Sequence, residues 1–133
     1  MNSPTPLRPD LYRIDASGPV LTGGRCTRCG FTGFPRAAVC LECGSESMES
    51  ADIGSGGELF AESTVHMSNG RFPAGYSVGY VLFPSGIRVF GQIRAAGDHP
   101  PSMGSPMRVE IATLYEDDGK PIESFRFYPA DAA

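Results

Sequence analysis

From residue 57 to residue 128, apolar and polar positions alternate in short runs broken by Gly, Pro, Asn and Asp, a pattern of strands and not of amphipathic helices. GELFAESTVHM (57–67) puts Leu59, Ala61, Ser63, Val65 and Met67 on one face, and Glu58, Phe60, Glu62, Thr64 and His66 on the other. SNGRFPAG (68–75) interrupts the chain before GYSVGYVLF (75–83) resumes it. Pro84-Ser85-Gly86 then predicts a hairpin with IRVFGQIR (87–94). AAGDHPPSMGSP (95–106) is too rich in Gly and Pro for strand or stable helix. MRVEIATLY (107–115), an Asp-Gly turn in EDDGK (116–120) and PIESFRFY (121–128) complete the series. Five short strands with a wide loop after the third match a small Greek-key barrel of the OB type.

The first part of the chain reads differently. TPLRPDLYRIDA (5–16) predicts a short helix, with Asp10 as N-cap and Leu11 and Ile14 three positions apart. GSESMESADIGSGG (44–57) has the Gly and Ser density of a connector. All four cysteines fall between residues 21 and 50 as two Cys-x-x-Cys pairs, so the expected organisation is a leader over 1–20, a rubredoxin-like zinc ribbon over 21–50 and an OB-fold domain over 51–133. The fold class is mainly β.

Composition supports this division. The 133 residues are 41% hydrophobic and 20% charged, enough for a core and far from a disordered composition. Seventeen Gly and twelve Pro suit many turns, and the length excludes doubly wound or barrel enzymes. The net charge of −4 falls entirely in residues 51–133, where six basic side chains face ten acidic ones. Such a surface does not attract phosphate backbones. Ten of the eleven basic residues are Arg, which fits a GC-rich coding genome. MNSPTPLRPDLYR has no charged, then apolar, leader pattern, and no apolar run reaches about 18 residues. The expectation is a cytoplasmic protein without a membrane segment.

All four cysteines lie in CTRCG (26–30) and CLECG (40–44). Two residues between thiolates let Cys26 and Cys29, and likewise Cys40 and Cys43, reach one ion, while Gly30 and Gly44 permit the tight turn after each pair. Four thiolates fill a tetrahedral shell, so the site is structural and leaves no open position for hydrolysis. One structural zinc is the reading. A rubredoxin-like iron site and redox or disulfide chemistry are the alternatives. A ribbon this small depends on its metal to fold, so loss of zinc is expected to unfold residues 20–48 and spare the barrel.

Catalytic signals are weak. His66, beside Glu62 and Thr64, could act as a general base but suits a solvated or partner-facing strand position; His99, in GDHPP, reads as a loop residue. No nucleophile-elbow, metalloprotease or phosphate-loop motif is present. Arg25, Arg28 and Arg36 flank the knuckles, and Arg88 and Arg94 lie on one face of the third barrel strand. They could grip the phosphates of a nucleotide-like ligand, or simply be solvated and paired with acids. Phe72, in the loop NGRFPAGY, reads as a contact residue.

The order of these features resembles a known family. RCTRCGFTGFPRAAVCLECGS, GELFAESTVHM, SVGYVLFPSGIRVFGQI, MGSPMRVEI and the final FRFYP look like the zinc-ribbon plus OB-fold proteins catalogued as domain of unknown function 35. RIDASGPVL (13–21) is abbreviated relative to the longer N-terminal helix common there. The resemblance implies a non-catalytic accessory subunit of a thiolase-like enzyme, such as a thiolase, retro-aldolase or acyltransferase of lipid, steroid or aromatic degradation. It further implies help in holding acyl-CoA and an assembly of two plus two chains. Arg28, Arg36, Phe72 and Arg88 are the candidate CoA contacts. A nucleic-acid-binding ribbon and barrel is the competing reading, weakened by the acidic charge of the barrel.

Overall fold

The computed structural model describes residues 5–6, 10–66, 76–94 and 101–130. Where a helix is expected near residue 12, the chain forms a hairpin. Asp15 accepts hydrogen bonds from the Ser17 backbone N–H at 2.9 Å and from the Ser17 hydroxyl at 2.7 Å. This Asx-type turn reverses the chain after two residues, so Asp15 pairs directly with Gly18. The helix expected within the leader is therefore replaced by β1 (Thr5–Pro6) and β2 (Tyr12–Asp15).

The remaining strands are β3 (Gly18–Cys26), β4 (Thr32–Gly33), β5 (Met48–Gly54), β6 (Gly56–Val65), β7 (Tyr76–Leu82), β8 (Arg88–Ile93), β9 (Pro106–Asp117) and β10 (Lys120–Pro129). No helix occurs among the described residues. β3 is the hub of the N-terminal sheet, pairing antiparallel with β2, β4 and β5. The expected Gly/Ser connector is thus largely a strand: β5 runs from Met48 to Gly54 and straddles the boundary drawn at residue 50. Composition alone concealed this, because Glu49 and Asp52 lie on the exposed side while Ile53 faces inward.

The second sheet closes on itself in the order β10, β8, β7, β6, β9 and back to β10. All neighbours are antiparallel except β8 and β10, and this arrangement is the expected five-stranded OB barrel. The two predicted hairpin turns form. Phe83 N–H bonds to the Ile87 carbonyl at 2.9 Å across Pro84-Ser85-Gly86. Asp118 and Gly119 both take positive φ, 51° and 75°, as the two-residue turn between β9 and β10 requires. The predicted alternation in β6 holds at Leu59 and then fails. Leu59 pairs with Val81, but Ala61 pairs with Tyr80, leaving Phe60 as the extra residue of a bulge. Ser63, expected on the inner face, is exposed as a result.

Ribbon and barrel share one core. Leu21 of β3 and Ile53 of β5 pack with Leu59, Val81, Phe83, Val89, Ile93, Met107, Val109 and Phe127 in a single buried cluster. Phe34 adds an edge-on contact with Phe125 at 5.5 Å. Tyr12 donates a hydrogen bond to Glu123 at 3.1 Å, and burial, reinforced by that carboxylate, pushes the Tyr12 hydroxyl up to about 12.

Candidate functional site

Each cysteine pair sits on a tight turn closed by a backbone hydrogen bond. The Gly30 N–H bonds to the Cys26 carbonyl and the Gly44 N–H to the Cys40 carbonyl, both at 2.9 Å. Gly30 and Gly44 adopt φ of 83° and 76°, the left-handed conformation these turns demand. The same turns aim N–H groups at sulfur. Cys29 N–H lies 3.4 Å from Cys26 Sγ, and Glu42 N–H lies 3.4 Å from Cys40 Sγ. Such bonds favour the thiolate. The Cys29 amide is the main influence that holds the Cys26 thiol down to about 6, and the Cys43 amide does most to lower that of Cys40.

The β3–β5 ladder, which pairs Cys26 with Met48, and the Thr27 N–H bond to the Ser47 carbonyl at 2.9 Å bring the two turns together. Cys26 Sγ lies 3.6 Å from Cys43 Sγ, Cys29 Sγ lies 3.6 Å from Cys40 Sγ, and the four sulfurs all fall within 4.8 Å of one another. Four sulfurs about 2.3 Å from one ion would be spaced by about 3.8 Å, so the cage fits a tetrahedral tetrathiolate zinc. Cys26 and Cys40 are buried and Cys29 and Cys43 exposed, an arrangement that anchors the ion to the ribbon's interior on one side. The zinc is structural, as expected from the spacing.

The other predicted residues stand on separate elements. Arg28 lies exposed in the first knuckle, and Arg36 lays its stem over Gly24, where a Cβ would fall 2.4 Å from Arg36 Cγ. Arg88 stands on the outer face of the barrel, its guanidinium 5.0 Å from the centre of the Phe60 ring. His66 is exposed just past β6. Phe72 and His99 lie outside the described residues.

Arg25 pairs with Glu49 at 3.4 Å. Arg94 is also committed within the chain: its Nε lies 3.0 Å from Glu110, and it covers the Tyr128 ring at 5.1 Å. Arg126 closes on the same carboxylate. Burial opposes the charge on Glu110, but the two guanidinium groups outweigh it and hold the carboxyl below its ordinary range.

The row of aromatic side chains at Phe60, Tyr80 and Phe90 escaped sequence reading. All three are exposed on the outside of the barrel. The available signal was Phe60 itself, an aromatic ring among Glu58, Glu62 and Thr64 on the polar side of the alternation.

Comparison with known proteins agrees with this architecture. Residues 19–49 match the family described as ChsH2, rubredoxin-like zinc ribbon domain. The benzoylsuccinyl-CoA thiolase subunit BbsA of Thauera aromatica is 32% identical over 126 residues, covering 91% of this chain and 85% of that one. A DUF35 domain-containing scaffold protein of Methanothermobacter thermautotrophicus is 27% identical over 114 residues, covering 82% of this chain and 86% of that protein. Among solved structures, a chain of the Ltp2-ChsH2(DUF35) aldolase shares the fold with a TM-score of 0.68 at 20% identity, covering 84% of this chain and 85% of its own. With the tetrathiolate ribbon, the closed barrel and this extent of similarity in hand, the chain belongs to the domain of unknown function 35 family.

Proposed function

We propose that this chain is a non-catalytic accessory subunit of a thiolase-fold enzyme acting on acyl-CoA. The observation that carries the reading is the near full-length similarity to a protein named as a thiolase subunit, 32% identical over 126 residues. The architecture suits the role. A zinc-braced ribbon fused to a closed barrel presents a preformed surface, so docking orders few side chains and the partner gains a rigid flank at low entropic cost. In this reading the zinc stiffens the ribbon and takes no part in chemistry. Arg28, Arg36 and Phe72 are the positions proposed to contact CoA, the two arginines at its phosphates, and the assembly is proposed to contain two chains of each kind.

Coexpression with each thiolase-fold chain of the same genome, followed by size-exclusion chromatography with light scattering, tests the reading. The expected result is one stable complex whose mass fits two plus two and whose thiolase-fold subunit turns over an acyl-CoA only in the complex. Failure of every such chain to bind, together with salt-sensitive binding of this protein to oligonucleotides, would overturn it in favour of the nucleic-acid reading.

A further inference from the structure

Three aromatic rings lie on the outside of the barrel. Phe60, Tyr80 and Phe90 keep 50%, 43% and 54% of their surface exposed. They are neighbours by register. Tyr80 pairs with Phe90 across β7 and β8, their rings 5.3 Å apart, and the bulge in β6 sets Phe60 beside them. Phe90 also divides two hollows. One, of about 390 Å³, runs between the ribbon's Phe34 and the barrel's Tyr80, Arg88 and Phe125; the other, of about 330 Å³, continues along β7 and β8 on the far side of the ring. A ridge of aromatic rings flanked by two hollows is a shape that a complementary apolar surface fills.

Charge narrows the occupant. Arg13, Arg25, Arg94 and Arg126 each pair with a carboxylate, whereas Arg88 pairs with none among the described residues and rests on Phe60. Resting on an aromatic face leaves the N–H donors of the guanidinium available to an incoming carboxylate. A nucleic-acid strand needs a track of cations beside its stacking rings, and residues 51–133 carry six basic side chains against ten acidic ones. Large aromatics around one Arg are instead the composition of a protein hot spot.

We infer that the outer face of β6, β7 and β8, with the hollow at the ribbon junction, is the surface on which the thiolase-fold partner docks, seating an apolar ridge against Phe90 and a carboxylate on Arg88. This rests on the accessory-subunit reading above and adds where the contact is made. One wall of the hollow is Phe34, which lies between the two cysteine knuckles, so the ribbon shapes the docking face as well as the zinc cage.

The test uses full-length, zinc-loaded protein and the thiolase-fold chain that coelutes with it. Phe90→Ser and Arg88→Glu are each expected to raise the dissociation constant by about 30-fold or more, the size of a hot-spot loss, with zinc content and circular dichroism unchanged. Leu41→Ser, at a side chain 82% exposed on the second knuckle, is the control and is expected to change it less than about threefold. If the partner binds Phe90→Ser and Arg88→Glu as tightly as the unaltered chain, the docking face is wrong while the accessory reading stands. If no thiolase-fold chain binds the unaltered protein, the reading itself fails and this occupant with it. A homodimer, or a complex with a thymidine oligonucleotide, that Phe90→Ser abolishes would give the face to a different occupant and overturn the inference.

Discussion

Replacing Cys40 by Ser, or withdrawing zinc with a chelator, is expected to unfold the barrel together with the ribbon. The small size of the ribbon suggests that residues 20–48 unfold by themselves, but the core they share with the barrel argues otherwise. Leu21, 0% exposed, lies inside the barrel's own cluster, and so does Ile53, 5% exposed, on β5, whose ladder partner is β3, so unfolding of 20–48 releases both. Burial of each side chain contributes about 1.5–3 kcal/mol. The Phe34 ring against Phe125 adds about 0.5–1.5 kcal/mol. Together these contacts are worth about 3.5–7.5 kcal/mol to the barrel. A domain of about 80 residues has a total stability of only about 4–12 kcal/mol. Losing the ribbon therefore removes most of the barrel's margin. Amide hydrogen exchange followed by NMR, with zinc release monitored by a colorimetric chelator, checks this. The expected outcome is one transition in which protection of Val81, Val89 and Phe127 collapses as zinc leaves. Retention of that protection after stoichiometric zinc loss would refute the argument, because it would show that the barrel holds its core without Leu21 and Ile53.

Three further outcomes follow from the geometry. Glu110→Gln should lower stability by about 1 kcal/mol at neutral pH, a figure kept small because the groups are partly exposed. Because folding lowers the pKa of Glu110, its contribution is present above about pH 4.3 and is lost as the pH falls through the lower folded value; urea titrations should show the gap between the two proteins closing in acid. Gly79→Ala should cost about 3 kcal/mol or prevent folding, since the new Cβ would fall 2.1 Å from the Ala61 carbonyl oxygen and 2.7 Å from Ile93 Cδ1; thermal melts measure it. Gly44→Ala meets no atom within 4 Å, so its cost is the left-handed backbone alone. At about 1 kcal/mol this weakens zinc binding about fivefold in a chelator competition.

The sequence by itself determined the local features. Cysteine spacing fixed the zinc cage because a two-residue gap with a following Gly admits one turn geometry, and both turns form as that geometry requires. Alternation and turn residues fixed the strands from β7 to β10, since period two is a property of neighbouring side chains. Pairings that join distant residues were decided only in three dimensions. β5 reads as a connector because its Ser, Glu and Asp carry no alternation, and it becomes a strand through the six-residue ladder from Leu21 to Cys26 on β3. The bulge at Phe60 has no local signature, yet it shifts the facing of the residues after it, so Ser63, in phase with Leu59, is exposed. Arg88 and Arg94 look equivalent six positions apart, but Glu110 neutralises one while the other lies on Phe60. The merging of ribbon and barrel into one core is likewise a tertiary fact: Leu21 and Phe127, far apart in the chain, exclude water only when packed together.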